Sequence, residues 1–583
     1  MIKKILSFFT ILLTAFIVVS FTNLSDKKKP VTSKYYFAPN SLVSIEAIAN
    51  GDWNNAATWS TNQVPTSIDD IIIPTGIRVT LLGTTQARTI SINGTLSPQN
   101  LTSDFDLTTK GIMIQSGGLL QIGSETNNYT GNGLITLTGS NPDEVLMNNA
   151  FMGAKLIGVM SGARLELHGV SRKTWTQLNK TAEKGANTIT LKENINWNVG
   201  DEIVIASTDF DPHQAEKRTI TAINGLVLTL NTPLEYMHFG VEQVYNNGTR
   251  DIILDERAEV GLLSHNLKIQ GDVSSETNGF GGHIMSMPGS VSKGSNIELY
   301  RMGQKSQLGK YPWHWHLLGD ADGQYIKNAG IHTSYNRVIT VHGTNNTVVE
   351  GNVGYDFLGH GYFLENGSET GNLFKNNLGV LCKRPKEGEE TTPHDLGVGA
   401  QNGAHPEAFP STFWITNPNN DFIGNVSAGS DGSGFWHLIL KEILDGEESD
   451  YNPGIQPMGI FDDNKAHSNL FSWGIDGGID RDSDEIVTGH YRPRNADGSQ
   501  FIPIVNRFDG YKSVDRNVWI RANTMDFDDC DFGDNGRADF FSYNQTLYNS
   551  LIVGKSANIG NPQSASEIEA GRSLPYADRP VDN

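Results

Sequence analysis

The chain has 583 residues, 62 glycines, two cysteines and a formal net charge of −21. That length exceeds one ordinary compact core, so several domains or an elongated stack of repeats are expected, and abundant glycine with few heptad-like apolar stripes favours an all-β chain. The charge argues against nucleic acid and anionic membrane as partners, and two cysteines, Cys382 and Cys530, cannot supply a disulfide framework.

Lys3 and Lys4 ahead of the apolar run Ile5 to Phe21 have the layout of an export signal over residues 1–22. The alternative is an uncleaved anchor, although the run falls short of the ~20 residues that span a bilayer comfortably. The expected location is secreted or cell-surface. Residues 23–44, with their lysines and prolines, read as a linker. Short β-runs broken by glycine follow, among them Ile71-Ile-Ile-Pro, Thr89-Ile-Ser-Ile and Gly133-Leu-Ile-Thr-Leu. Gly51-Asp-Trp-Asn-Asn-Ala-Ala-Thr-Trp59, Val64-Pro65 and Ile73-Pro74-Thr-Gly76 resemble the opening of a G8 domain, placed at 45–170, in which Trp53 and Trp59 are read as core.

From 171 to 583 the reading is one of stacked repeats. Asn328-Ala-Gly330, Asn352-Val-Gly354 and Asn377-Leu-Gly379 recur at intervals of 24 and 25 residues, with Asn425-Val-Ser427 two turns further on. A β-run every two dozen residues fits one coil of a right-handed parallel β-helix of the pectin-lyase kind, whereas propeller blades need roughly 40 residues or more. The asparagines are expected to stack in one column.

The stretch Lys310 to Asp322 carries the chemistry. Alternation in Trp313-His314-Trp315-His316 puts both imidazoles on one face of a strand, and Asp320 and Asp322 follow at its end. Counting 12 residues back from each repeat asparagine places His316, Thr340 and Glu365 on neighbouring rungs, with His342 and His314 on the same exposed wall. Glu365, Asp320, His316 and His342 are the catalytic candidates. His314, Asp322, Trp315 and His360 are the candidates for holding substrate, and His314, His316 and Asp320 those for a metal. A purely structural polar ladder is the competing reading. Asp480-Arg-Asp-Ser-Asp-Glu485 and Asp526-Phe-Asp-Asp-Cys-Asp531 read as acidic loops, and Cys382-Lys-Arg-Pro-Lys386 as a small basic patch.

Asp255 to Asn266, Phe280-Gly-Gly-His-Ile-Met285, Tyr311 to Asp320, Thr340-Val-His-Gly343, Leu358-Gly-His-Gly361, Ser411 to Asn420, Asn464 to Asn469 and Asp531 to Gly536 closely resemble the family of the cell migration-inducing hyaluronan-binding protein and its transmembrane hyaluronidase relative. The resemblance runs from about residue 45 to the end. Family members of vertebrates carry a lectin-like GG domain where this chain has only Trp175 to Val199, and they continue beyond Asn583, so a short relative or a fragment is expected. The resemblance implies an extracellular glycan-active protein that depolymerises hyaluronan with calcium as cofactor. Hydrolysis would use two carboxyls; elimination would use a base and a cation on a uronate carboxylate; an adhesion module would only grip the glycan.

Overall fold

Several short runs alternate buried and outward residues, as in Asp70–Ile73 and Phe105–Thr109, while others such as Gly111–Ile114 and His283–Ser286 are buried throughout. Strands this short are stable only when stacked on neighbours, because each coil buries its apolar edge against the next. The computed structural model describes residues 44–396, 410–444, 451–479, 486–487, 491–536 and 540–558, and in it 37 strands join in one such stack.

One face can be followed through the coils. Ile45–Glu46, Asp70–Ile73, Thr89–Ile92, Gly111–Ile114, Leu156–Val159, His283–Ser286, Trp313–Asp320, Ile339–Asn345, Tyr362–Leu364 and Ser411–Ile415 each pair in parallel with the next. Parallel strands joined by such crossovers wind one way, and the result is a right-handed parallel β-helix. The G8 region does not abut this helix with a sheet of its own; its runs share the coil spacing, so they form the first coils of the same stack. Trp53 and Trp59 are fully buried there, edge to face at 5.0 Å.

Between Arg164–His168 and Leu267–Gly271 the chain leaves the helix. The stretch expected to coil from residue 171 instead builds a six-stranded antiparallel sheet from Trp175–Gln177, Thr188–Thr190, Glu202–Ile205, Glu216–Asn224, Val227–Leu230 and Glu259–Leu262. Its local cause is a hairpin: the two-residue turn Gly225-Leu226 closes Glu216–Asn224 onto Val227–Leu230, with Gly225 at φ 58°. The insert has its own core around Leu191, Ile203, Ile220 and Leu228, and it docks through Val204, Ala206 and Leu263 onto Val353, Leu378 and Val380 of the helix.

Inside the coils like stacks on like, as in Tyr362 on Phe413 at 4.7 Å and Phe413 on Phe435 at 4.5 Å. The asparagine column is Asn352, Asn377, Asn425 and Asn464: each amide donates to the next carbonyl oxygen at 2.9 to 3.0 Å. Asn328 falls outside it. Its coil pairs Lys327 with Glu350, so Ala329 rather than Asn328 sits above Asn352 and donates its backbone N–H to that side chain. Cys382 and Cys530 are both free and buried.

Asn377→Ala should strand the backbone N–H of Asn352 and the carbonyl of Val349 besides its two ladder partners, lowering stability by about 3 kcal/mol. Asn328→Gly, at a φ of 51° that glycine tolerates, should cost less than about 1 kcal/mol. Equal losses in denaturant titrations of the two variants would contradict the column drawn here.

His437 lies buried beside Phe461 and Trp473, and its Nδ1 accepts the indole N–H of Trp473 at 3.0 Å. Burial pushes its pKa down to about 3. A proton refused by the fold but taken by the unfolded chain below about pH 6.5 makes stability complete above that pH and progressively lost toward pH 3, at up to ~1.4 kcal/mol per pH unit. His437→Gln keeps an acceptor for Trp473, so its denaturation midpoint should fall less steeply on acidification; an unchanged slope would show that His437 titrates normally.

Candidate functional site

The strand Trp313–Asp320 divides its side chains as its alternation requires. Trp313 and Trp315 point into the core and are fully buried, and the Trp315 indole donates to Gln324 Oε1 at 3.2 Å. Trp315 therefore cannot hold substrate. His314 and His316 point outward.

Register decides their neighbours. His316 pairs with His342 and His314 with Thr340, while Thr340 pairs onward with Phe363 and Val341 with Leu364. Glu365 follows Leu364, its N–H donating to Val341 O at 3.2 Å, so the column is His316, His342 and Glu365, not His316, Thr340 and Glu365. A fixed count of 12 fails because the corners differ. The chain takes 14 residues from Phe363 to Asn377 against 12 from Thr340 to Asn352. The longer corner wraps around the Glu369 carboxylate, which accepts the N–H groups of Gly343, Asn366 and Gly367 at 2.8 to 3.0 Å. Leu317, at φ 57°, bulges the first strand between His316 and Gly319.

The three imidazoles converge, with ligand nitrogens all within 4.8 Å of one another. His342 Nδ1 lies 3.2 Å from His316 Nδ1 and 3.6 Å from Glu365 Oε2, and His314 Nε2 lies 3.9 Å from the same oxygen. Tyr311 donates its hydroxyl to Glu365 Oε1 at 3.4 Å. The wall is not open, as the sequence led us to expect. His314 is buried, His342 nearly so, and the Glu365 side chain is 11% exposed. Burial, reinforced by His316 and His342, holds the His314 pKa well below its usual value, so the ring is neutral. Burial and the Glu365 charge push the Tyr311 hydroxyl well up.

His316 marks the opening. The Phe151 ring sits 5.3 Å from it and is 55% exposed, and the Lys310 ammonium lies 5.3 Å above Phe151. Desolvation lowers Lys310 to a pKa of about 8. Lys310 and Tyr311 lie within the stretch that drew attention in the sequence, yet nothing there marked them as site residues. Phe151 lies 165 residues before His316 in a polar loop, without any local signal.

The other expected residues lie elsewhere. Asp320 and Asp322 are exposed at the far end of the strand, where Asp320 accepts from Asn346 Nδ2 at 2.9 Å. Asp320 pairs with Asn345, three positions beyond His342 and so roughly 10 Å along the strand, and it is replaced by His342 in the converging cluster. His360 is wholly buried, stacked on Trp414 at 3.8 Å, accepting the Ser411 N–H and facing Asp395 at 3.5 Å. It cannot touch substrate. Calcium, which takes six to eight oxygen ligands, does not fit three imidazoles and one carboxylate. Among the described residues no other His, Cys, Asp and Glu group converges this tightly, and Asp480 to Glu485 lie outside those residues.

Comparison with known proteins agrees with this architecture. Residues 58–179 match the G8 domain model and residues 279–474 the CEMIP β-helix model. A protein of Dictyostelium discoideum is 31% identical over 601 residues, covering 90% of this chain and 53% of that protein. Fibrocystin-L of Mus musculus is 35% identical over 412 residues, covering 63% of this chain and 9% of that protein. The cell surface hyaluronidase CEMIP2 of Homo sapiens is 33% identical over 427 residues, covering 62% and 30%. The chain thus spans about half the length of the first relative and less of the others. The converging histidines and Glu365 all fall inside the matched β-helix segment, and the chain belongs with the G8-domain proteins that carry a CEMIP β-helix.

Proposed function

We propose that this chain binds and hydrolyses a hyaluronan-like, uronate-containing polysaccharide at the wall around Glu365. The observation that carries the proposal is the combination of one carboxyl framed by His314, His342 and Tyr311 with an aromatic ring and a cation at its mouth. Sugar rings stack on exposed aromatic faces, and Phe151 offers one. Lys310 offers a positive charge to a uronate carboxylate, which offsets locally the repulsion between a polyanion and a chain of net charge −21. Glu365 then serves as the acid that protonates the leaving glycosidic oxygen. The relative named a cell surface hyaluronidase supports the same substrate class and an extracellular setting, as does the export signal expected over residues 1–22, which lie outside the described residues.

One observation favours elimination as a second reading. Ordinary hydrolysis uses two carboxyls, and among the described residues the nearby buried acids are engaged elsewhere: Glu369 by backbone N–H groups and Asp395 by Arg337. Elimination needs one base and a cation at the uronate, and here Lys310 would be the cation and the imidazole of His316, at the opening, the base.

Purified protein should shorten hyaluronan in a viscosity or gel assay. Glu365→Gln should lower kcat by roughly 10²-fold or more while glycan binding survives. Phe151→Ala and Lys310→Gln should act chiefly on KM, raising it roughly tenfold. Saturated product ends support hydrolysis, and ends absorbing in the ultraviolet support elimination. If hyaluronan and related glycosaminoglycans are bound but stay intact, the wall is an adhesion surface and the enzyme reading is wrong.

A further inference from the structure

Four buried histidines of this protein have a carboxylate of their own. His168 meets Glu166 at 2.8 Å, His467 meets Glu259 at 2.9 Å, His238 meets Glu216 at 3.0 Å and His332 meets Glu298 at 3.2 Å. At the wall around Glu365 three imidazoles turn their nitrogens toward one another, and Glu365 Oε2 lies 3.6 Å from His342 and 3.9 Å from His314.

The tautomer of His314 is set by the backbone. Its Nδ1–H donates to Gly309 O at 3.0 Å, which leaves the Nε2 lone pair directed at the cluster. That atom is buried and has no hydrogen-bond partner among the described residues, a state that destabilises the fold unless something fills it. An imidazole whose far nitrogen donates to a carbonyl is the arrangement by which proteins orient metal ligands. His316 Nδ1 and His342 Nδ1 lie 3.2 Å apart, close enough for one ring to donate to the other and equally for both to bind one cation.

We propose that His314, His316 and His342 bind one divalent transition-metal ion of the zinc class, with Glu365 beside the open fourth position. The proposal rests on the glycan site described above and assigns its metal as nitrogen-bound, in place of calcium. Metal–nitrogen bonds of 2.0 to 2.1 Å set neighbouring ligand atoms of a tetrahedral shell about 3.4 Å apart. The His316–His342 separation of 3.2 Å already meets that spacing, and the remaining pairs, within 4.8 Å, close by side-chain rotation. Three histidines with one open position make the donor set of a catalytic rather than a closed structural site. A water held there would give its proton to the Glu365 carboxylate, which would pass that same proton to the leaving glycosidic oxygen, so the metal would supply the attacking hydroxide while Glu365 remains the acid.

The test uses the full chain, freed of metal with a chelator and titrated with zinc by calorimetry, with bound metal counted by elemental analysis. About one zinc per chain should bind and should survive a large excess of calcium. His316→Ala, at the half-exposed ligand, should weaken binding roughly 10- to 100-fold with an unchanged circular dichroism spectrum, and Glu365→Gln should retain the zinc. Cobalt(II) in place of zinc should give the visible absorption of a nitrogen-ligated ion, lost in His316→Ala. Failure of the folded protein to bind zinc, or equal affinity in wild type, His316→Ala and His314→Gln, overturns the proposal. Zinc binding by a chain that leaves glycan uncut would sink the glycan-cleavage reading alone, and undiminished cleavage after complete metal removal would sink this one alone.

Discussion

Parallel hydrogen bonding between successive coils is the constraint on which the rest of the structure depends. It fixes rungs about 4.8 Å apart and forces residues some two dozen positions apart in sequence to lie side by side. His316 meets His342 for that reason alone, since neither is near the other along the chain. The same spacing lets Asn352, Asn377, Asn425 and Asn464 satisfy one another in a buried column, where each unpaired amide would be costly. A shift of one residue in any coil would move a column of polar groups to the opposite face, so register is under strong physical control.

The ladder also explains why the site takes shape on irregularities. A perfectly repeating helix would place identical corners on every rung and line its walls with columns of like residues. The bulge at Leu317 and the long corner around Glu369 break that repetition in the two coils that flank the one carrying His342. Together they bring His342, rather than Thr340, beside His316, and swing Glu365 onto the same column. The buried carboxylate of Glu369 accepts N–H groups from both coils, Gly343 in one and Asn366 and Gly367 in the next. It is a positioning group: its charge is committed to holding the corner, and Glu365 is left to face the histidines.

How much could be read beforehand follows from the same distinction. Features set by local alternation were legible: His314 and His316 outward, Trp313 and Trp315 inward, and the β-helix from the asparagine spacing. Features set by corner length were not, because Asn328 resembles its counterparts in local sequence yet sits one position off the column. The insert left a signal that went unused in Gly225-Leu226, a hairpin turn flanked by apolar runs. Phe151 and the burial of His314 depend on how a loop from an earlier coil folds over the wall, which no local pattern encodes. Trp315 and His360 failed for opposite reasons. The first was credited to the site despite pointing to the core, and the second belongs to a separate buried cluster with Arg337, Asp395 and Trp414.

The position of the antiparallel insert bears on what the site can accept. It docks on the face that carries Val353, Leu378 and Val380, whereas the histidines project from the face built by Trp313–Asp320, Ile339–Asn345 and Tyr362–Leu364. The insert therefore stiffens the helix from a different side and leaves the wall to be covered by the chain's own loops. Those loops bury His314 but leave Phe151 exposed and His316 half-buried, so among the described residues the Phe151 ring and Lys310 stand at the entrance. A polymer does not have to enter a closed pocket to reach such a site. A chain lying along the outside of the helix over Phe151 is within 5.3 Å of the His316 ring, so the part of it nearest that aromatic face is the part the histidine cluster can reach.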